Sequence, residues 1–140
     1  MNFDVRWRTT MEITPLGPVL AAEVRGLDLN LPVDAVALAE IEAALERHGV
    51  LVFRDQDLAP AAQVAFSRRF GPLEIHVQKR FHHPALPEIL IVSNVVEDGR
   101  PIGLADAGRY WHSDLSYLAE PSLASVLNAK ELPVDDGDTL

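Results

Sequence analysis

The chain has 140 residues, 48% of them apolar and 24% charged, with 8 glycines and 10 prolines. That suits one compact domain, in which folding removes about 68% of the unfolded chain's surface, and it excludes a disordered or collagen-like polymer. Twelve Lys and Arg against 21 Asp and Glu leave a net charge of −9, and there is no cysteine; phosphate backbones and anionic membranes are disfavoured as partners, and disulfides, thiolate zinc sites and a cysteine nucleophile are excluded.

Basic runs such as Arg68-Arg69 are too short to reverse that charge. Uninterrupted apolar stretches, such as those at 19–22, 50–53 and 89–92, fall far short of a membrane span of ~20 residues. The opening MNFDVRWRTT has no apolar secretory region. The expectation is a cytoplasmic protein with a small-molecule substrate, no nucleic acid and no membrane, a homo-oligomer being left open.

Between positions 11 and 31, short apolar groups alternate with Pro15, Gly17, Pro18 and Gly26, which reads as two strands joined by turns. From Asp34 the period changes. Leu38, Ile41, Leu45 and His48 lie on one helical face, with Asp34 as N-cap and Gly49 as the stop. Residues 49–53 read as a buried strand, ended by Arg54-Asp55-Gln56-Asp57. A second helix is expected from Pro60 to about Phe70, with Phe66 and Phe70 an i,i+4 pair and Gly71-Pro72 closing it. Residues 88–96 read as a strand, 97–108 as a Gly-rich loop, and 110–117 and 122–129 as further strands. The fold class is therefore mainly β with flanking α-helices.

Trp111-His112-Ser113-Asp114 is the sharpest chemical feature. On a strand, His112 and Asp114 project to the same side, so an imidazole nitrogen and a carboxylate oxygen can grip one metal ion. These are two of the three ligands of a 2-His-1-carboxylate facial triad, which leaves positions on Fe(II) open for substrate and oxygen. Taken alone, the pattern also fits a hydrogen-bonded surface pair. His82-His83 reads as a solvated loop pair, because adjacent residues on extended chain point apart. His48, at the end of the first helix, reads as a packing residue.

Four blocks carry a wider resemblance: ITPLGPVLAAEVRGLDL from position 13, RHGVLVFRDQDLAPAAQVAFSRRFGPLEIH from 47, WHSDLSY from 111 and NAKELPVDDGDTL from 128. In order and spacing the chain resembles the taurine/chlorophenoxyacetate dioxygenase (TauD/TfdA-like) family of Fe(II)- and 2-oxoglutarate-dependent oxygenases. The resemblance implies part of a double-stranded β-helix (jelly roll), with 1–12 an N-terminal extension and 13–140 the N-terminal part of the domain. It implies O₂ and 2-oxoglutarate as cosubstrates, succinate and CO₂ as products, and hydroxylation of a small organic substrate. His112 and Asp114 match the proximal iron ligands. Thr139 matches the threonine that binds a carboxylate of 2-oxoglutarate, a role open to a neutral hydroxyl donor, although without the family spacing it reads rather as a turn residue after Asp135-Asp136-Gly137. His76 matches a substrate-contacting histidine, with a partly buried loop histidine as the alternative.

Some positions depart from the family pattern. Asp136 stands where relatives usually begin a Gly-Gly-Asp-Thr turn. Lys79 and Gly108 replace an aromatic residue and an asparagine of taurine-type members, which points away from taurine and leaves a sulfonate, a sulfate ester or another small anion open. Lys79 and Arg80 could offer such an anion positive charge, or form a solvated basic pair. The family's second iron-binding His and the Arg that pairs with 2-oxoglutarate fall beyond Leu140, so the chain reads as an N-terminal portion with the C-terminal half of the jelly roll missing. A truncated or degenerate non-catalytic relative is the first alternative; a zinc hydrolase using His112 and Asp114 is the second.

Overall fold

The computed structural model describes residues 10–108 and 110–134. Length alone suits one domain, whereas the chain divides into two compact units, Met1–Ala62 and Gln63–Leu140. No Gly- or Pro-rich linker marks the boundary in the sequence, because it falls inside a continuous helix.

The first unit follows the sequence closely. Strands β1 (Glu12–Pro15) and β2 (Ala22–Arg25) pair antiparallel, with Ile13 opposite Val24. Helix α1 (Ala35–His48) then carries the chain to β3 (Leu51–Phe53), which pairs parallel to β2 with Glu23 opposite Val52. Parallel neighbours need a crossover of roughly a dozen residues or more, and α1 supplies it. Asp34 caps α1 by accepting from the backbone N–H groups of Val36 and Ala37, both at 2.9 Å. At the other end Gly49 takes φ 68° and donates to the Leu45 carbonyl, the left-handed turn that a residue without Cβ adopts freely. Leu38, Ile41 and Ala44 form the buried stripe, while Leu45 and His48 lie at its half-buried margin. Together with Ala22, Val24, Leu29, Val33 and Leu58 they make the core of this unit.

As the central strand, β2 is covered on both faces, so even Glu23 is buried. Its carboxylate is paired rather than stranded: Arg25 Nε donates to Oε2 at 2.8 Å and Arg54 Nε to Oε1 at 2.6 Å. The Arg54-Asp55-Gln56-Asp57 run does end β3, and it also anchors the next turn. Gln56 accepts from the Leu29 N–H and donates to the Leu27 carbonyl, both at 3.0 Å.

Helix α2 (Pro60–Ser67) starts at the expected proline but tightens into a 3-10 turn over Arg68–Phe70. Ser67 Oγ donates back to the Gln63 carbonyl at 2.8 Å, a local bond that competes with regular helix. Phe66 and Phe70 meet edge to face with centroids 5.3 Å apart, and Arg68 is ion-paired with Glu88.

Beyond α2 the strand expectations need correction. His82–His83 is no solvated loop pair: it forms β4, half-buried and antiparallel to β5 (Leu86–Leu90). The strand expected over 88–96 thus begins and ends earlier. The expected loop after it contains a hairpin, β6 (Val96–Glu97) with β7 (Arg100–Pro101), turned through Asp98 and Gly99 at φ 49° and 74°. Asp-Gly is a strong hairpin dipeptide, so the signal was present in the sequence. The pairing continues irregularly beyond β6 and β7, with Leu104 N–H donating to the Ile91 carbonyl at 2.9 Å and Ile102 N–H to Val95 at 3.2 Å.

Residues 110–117 and 122–129 form no strand among the described residues. The first contains a turn, with Leu115 at φ 52° and Leu118 N–H donating to Leu115 at 3.0 Å. Apolar alternation prepares a segment for a sheet, but a strand exists only where a second segment pairs with its backbone. The observed architecture is small β-sheets with two α-helices.

Candidate metal centre

His112 and Asp114 do meet, though on a turn rather than a strand face. His112 Nε2 lies 3.2 Å from Asp114 Oδ1. The imidazole is oriented from behind, with Nδ1 2.6 Å from the Tyr110 carbonyl oxygen. A carbonyl can only accept, so Nδ1 carries hydrogen and the neutral ring presents its Nε2 lone pair to the carboxylate. Two electron pairs facing each other require a positive charge between them, either a proton on Nε2 or a shared metal ion.

The spacing suits the ion. Two donors about 2.1 Å from one metal at a right angle are about 3.0 Å apart, close to the observed separation. Imidazole and carboxylate are also the donor types of non-haem iron sites. Both side chains are open to solvent, at 52% and 59% exposure. Among the described residues no group of three His, Cys, Asp or Glu forms, so the pair alone supplies the donors here.

Sequence reasoning missed Ser125, whose hydroxyl donates to Asp114 Oδ2 at 2.8 Å. The aromatic residues around the pair, Tyr110, Trp111 and Tyr117, are all exposed, Trp111 by 89%.

His76 is a half-buried loop residue. Its Nδ1 accepts from the Gln78 N–H at 3.1 Å, and its carbonyl lies 2.7 Å from His82 Nε2, which must donate. Among the described residues none of these bonds reaches His112 or Asp114. Lys79 and Arg80 are exposed, and the Arg80 guanidinium lies 4.3 Å from the centroid of the Phe81 ring. Thr139, with Asp136, lies outside the described residues.

A His-X-Asp pair whose imidazole and carboxylate face each other, together with the ordered motif blocks, points to a class, and the comparisons show it. The chain matches the family described as taurine catabolism dioxygenase TauD, TfdA family, over residues 12–140, and it belongs to that family. It is 41% identical over 130 residues to pentalenolactone F synthase of Streptomyces arenae, covering 91% of this chain and 44% of that protein. It is 37% identical over 136 residues to the alpha-ketoglutarate-dependent 2,4-dichlorophenoxyacetate dioxygenase of Cupriavidus pinatubonensis, covering 89% and 47%. Among solved structures, a taurine dioxygenase from Burkholderia xenovorans superposes with a TM-score of 0.52 at 35% identity, over 55% of this chain and 28% of that one. The chain thus spans less than half the length of these curated relatives. No helix among the described residues is long and apolar enough to cross a membrane.

Proposed function

We propose that the protein acts as an Fe(II)- and 2-oxoglutarate-dependent dioxygenase that hydroxylates a small anionic organic substrate in the cytoplasm. The observation that carries this reading is the convergence of His112 Nε2 and Asp114 Oδ1 at 3.2 Å in a member of this family. Alpha-ketoglutarate, which is 2-oxoglutarate, stands in the name of the Cupriavidus relative.

In this reading His112 and Asp114 hold the metal, Thr139 fixes a carboxylate of 2-oxoglutarate, and His76 touches the substrate. Fe(II) bound there would supply the redox chemistry that converts 2-oxoglutarate, O₂ and a substrate C–H into succinate, CO₂ and an alcohol; the protein's part is position and electrostatics. Tyr110, through its carbonyl, keeps hydrogen on Nδ1 of His112 and so keeps Nε2 available as a ligand. At His76 the Gln78 N–H engages Nδ1, which leaves the neutral ring's Nε2–H to donate to an anion.

The fold belongs to the same reading. Residues 13–140 form the N-terminal part of a jelly roll, and the remaining strands come from the portion that the relatives have in addition. Supporting this are the coverage of 44% and 47% of those relatives and the exposure of Trp111, Leu127 and Val134 by 89%, 90% and 98%. Apolar side chains so open to water fit a surface that more chain would cover.

The test is anaerobic addition of Fe(II) and 2-oxoglutarate to the purified protein and to a longer form carrying the family's C-terminal half. A visible charge-transfer band in the longer form supports the reading. No band in either overturns it and leaves the non-catalytic relative.

A further inference from the structure

Asp114 is an exposed carboxylate on a turn, and such a group exchanges its two oxygens by rotating about its last side-chain bond. Ser125 breaks that symmetry. Its hydroxyl donates to Oδ2 at 2.8 Å, while Oδ1 faces His112 Nε2 at 3.2 Å. The segment that follows Ser125 is bonded to α2: Gln63 donates to the Val126 carbonyl at 3.2 Å and accepts from Asn128 Nδ2 at 3.4 Å. The segment carrying Ser125 is thereby tied to a helix rather than left to swing with its own exposed side chains.

We infer that Ser125 is a positioning residue for the metal pair, holding Asp114 so that Oδ1 alone is offered as a single-oxygen ligand. The inference rests on the metal reading of His112 and Asp114 and assigns Ser125 no contact with metal or substrate. The two ligands are then treated alike, each having one polar atom engaged by the protein and the other directed to a common point, Tyr110 serving His112 as Ser125 serves Asp114. A serine suits the task because a neutral hydroxyl donates to the second oxygen without competing for the cation. Hydrogen-bond partners behind metal ligands typically change affinity about 10–100-fold when removed.

The experiment titrates the longer form, carrying the family's C-terminal half, with Mn(II) and follows the electron paramagnetic resonance signal of the free ion, a readout independent of turnover. Four proteins are compared: wild type, Ser125→Ala, Ser125→Thr and His112→Ala. The expected result is affinity lowered about tenfold or more in Ser125→Ala, restored to within about twofold by Ser125→Thr, which keeps the hydroxyl, and lost in His112→Ala. If Ser125→Ala binds like wild type while His112→Ala does not, the positioning role is wrong and the metal pair stands. Equal weakening in both Ser125 variants also overturns the role, since the hydroxyl would then not be the cause. Wild type binding no better than His112→Ala removes the metal reading, and the inference with it.

Discussion

Arg54 Nε donates to Glu23 Oε1 at 2.6 Å, joining the residue just after β3 to the middle of β2. Glu23 faces Val52 across the parallel ladder, so Arg54, two residues further on, reaches it diagonally on the same face. Arg25, two residues along β2, engages the same carboxylate. One negative group thus serves two guanidinium groups and ties β3 to the central strand.

That arrangement gives stability a pH dependence. The hydrogen bond from Arg25 holds the Glu23 carboxyl below its ordinary value of 4.5, against the burial that raises it, with the charge of Arg25 and the contacts of Arg54 adding to the lowering. A depressed carboxyl stabilises the fold fully above its unfolded pKa and loses that contribution as pH falls through the folded one. The stability gap between wild type and Glu23→Gln should therefore be flat above pH 4.5 and narrow below it. Thermal melts at a series of pH values measure this, and a gap constant down to the acid limit would contradict it.

His112→Ala, in a longer form carrying the family's C-terminal half, should abolish Fe(II) binding and succinate formation coupled to substrate. Removing an imidazole from an exposed turn should leave the fold intact. Turnover retained in this variant, with iron content measured alongside, would sink the assignment.

Gly103 should not tolerate a side chain. It is buried, and an added Cβ would meet the backbone N of Ser93 at 2.7 Å and the carbonyl oxygen of Ile91 at 2.9 Å. Those atoms belong to the irregular pairing of 91–95 with 102–104, which has no flexible side-chain end to yield. Gly103→Ala is expected to lower stability by about 1–3 kcal/mol, as overpacking does. A shifted urea midpoint with an unchanged slope would register it, and a midpoint equal to wild type would count against the close approach.

Asp34→Ala should remove the cap of α1, which satisfies two backbone N–H groups. A loss of about 1 kcal/mol is expected, recovered in large part by Asp34→Asn or Asp34→Ser. Equal loss in all three variants would show that the carboxylate charge matters rather than its accepting oxygen.

Much of the first unit was legible because its signals are local. The stripe of Leu38 and Ile41, the cap at Asp34 and the turn at Gly49 depend on residues within a turn or two of each other. The proline that opens α2 and the Phe66–Phe70 pair are of the same kind. The second unit was less legible. Residues 110–117 have strand-like composition but lack a ladder among the described residues, and no periodicity within a segment reports whether a partner exists.

The charge of −9, the lack of cysteine, the family motifs and the identity of His112 and Asp114 as a candidate metal pair came from the sequence alone, because residue type and spacing along the chain are enough to state them. Tertiary structure decided the rest: that the pair meets on a turn at 3.2 Å, that Tyr110 selects the imidazole tautomer, that Ser125 reaches Asp114 from 11 residues away, and that Glu23 is buried between two arginines. Each of these depends on where a carbonyl, a hydroxyl or a guanidinium arrives in space. Spacing along the chain cannot encode that until the backbone has folded.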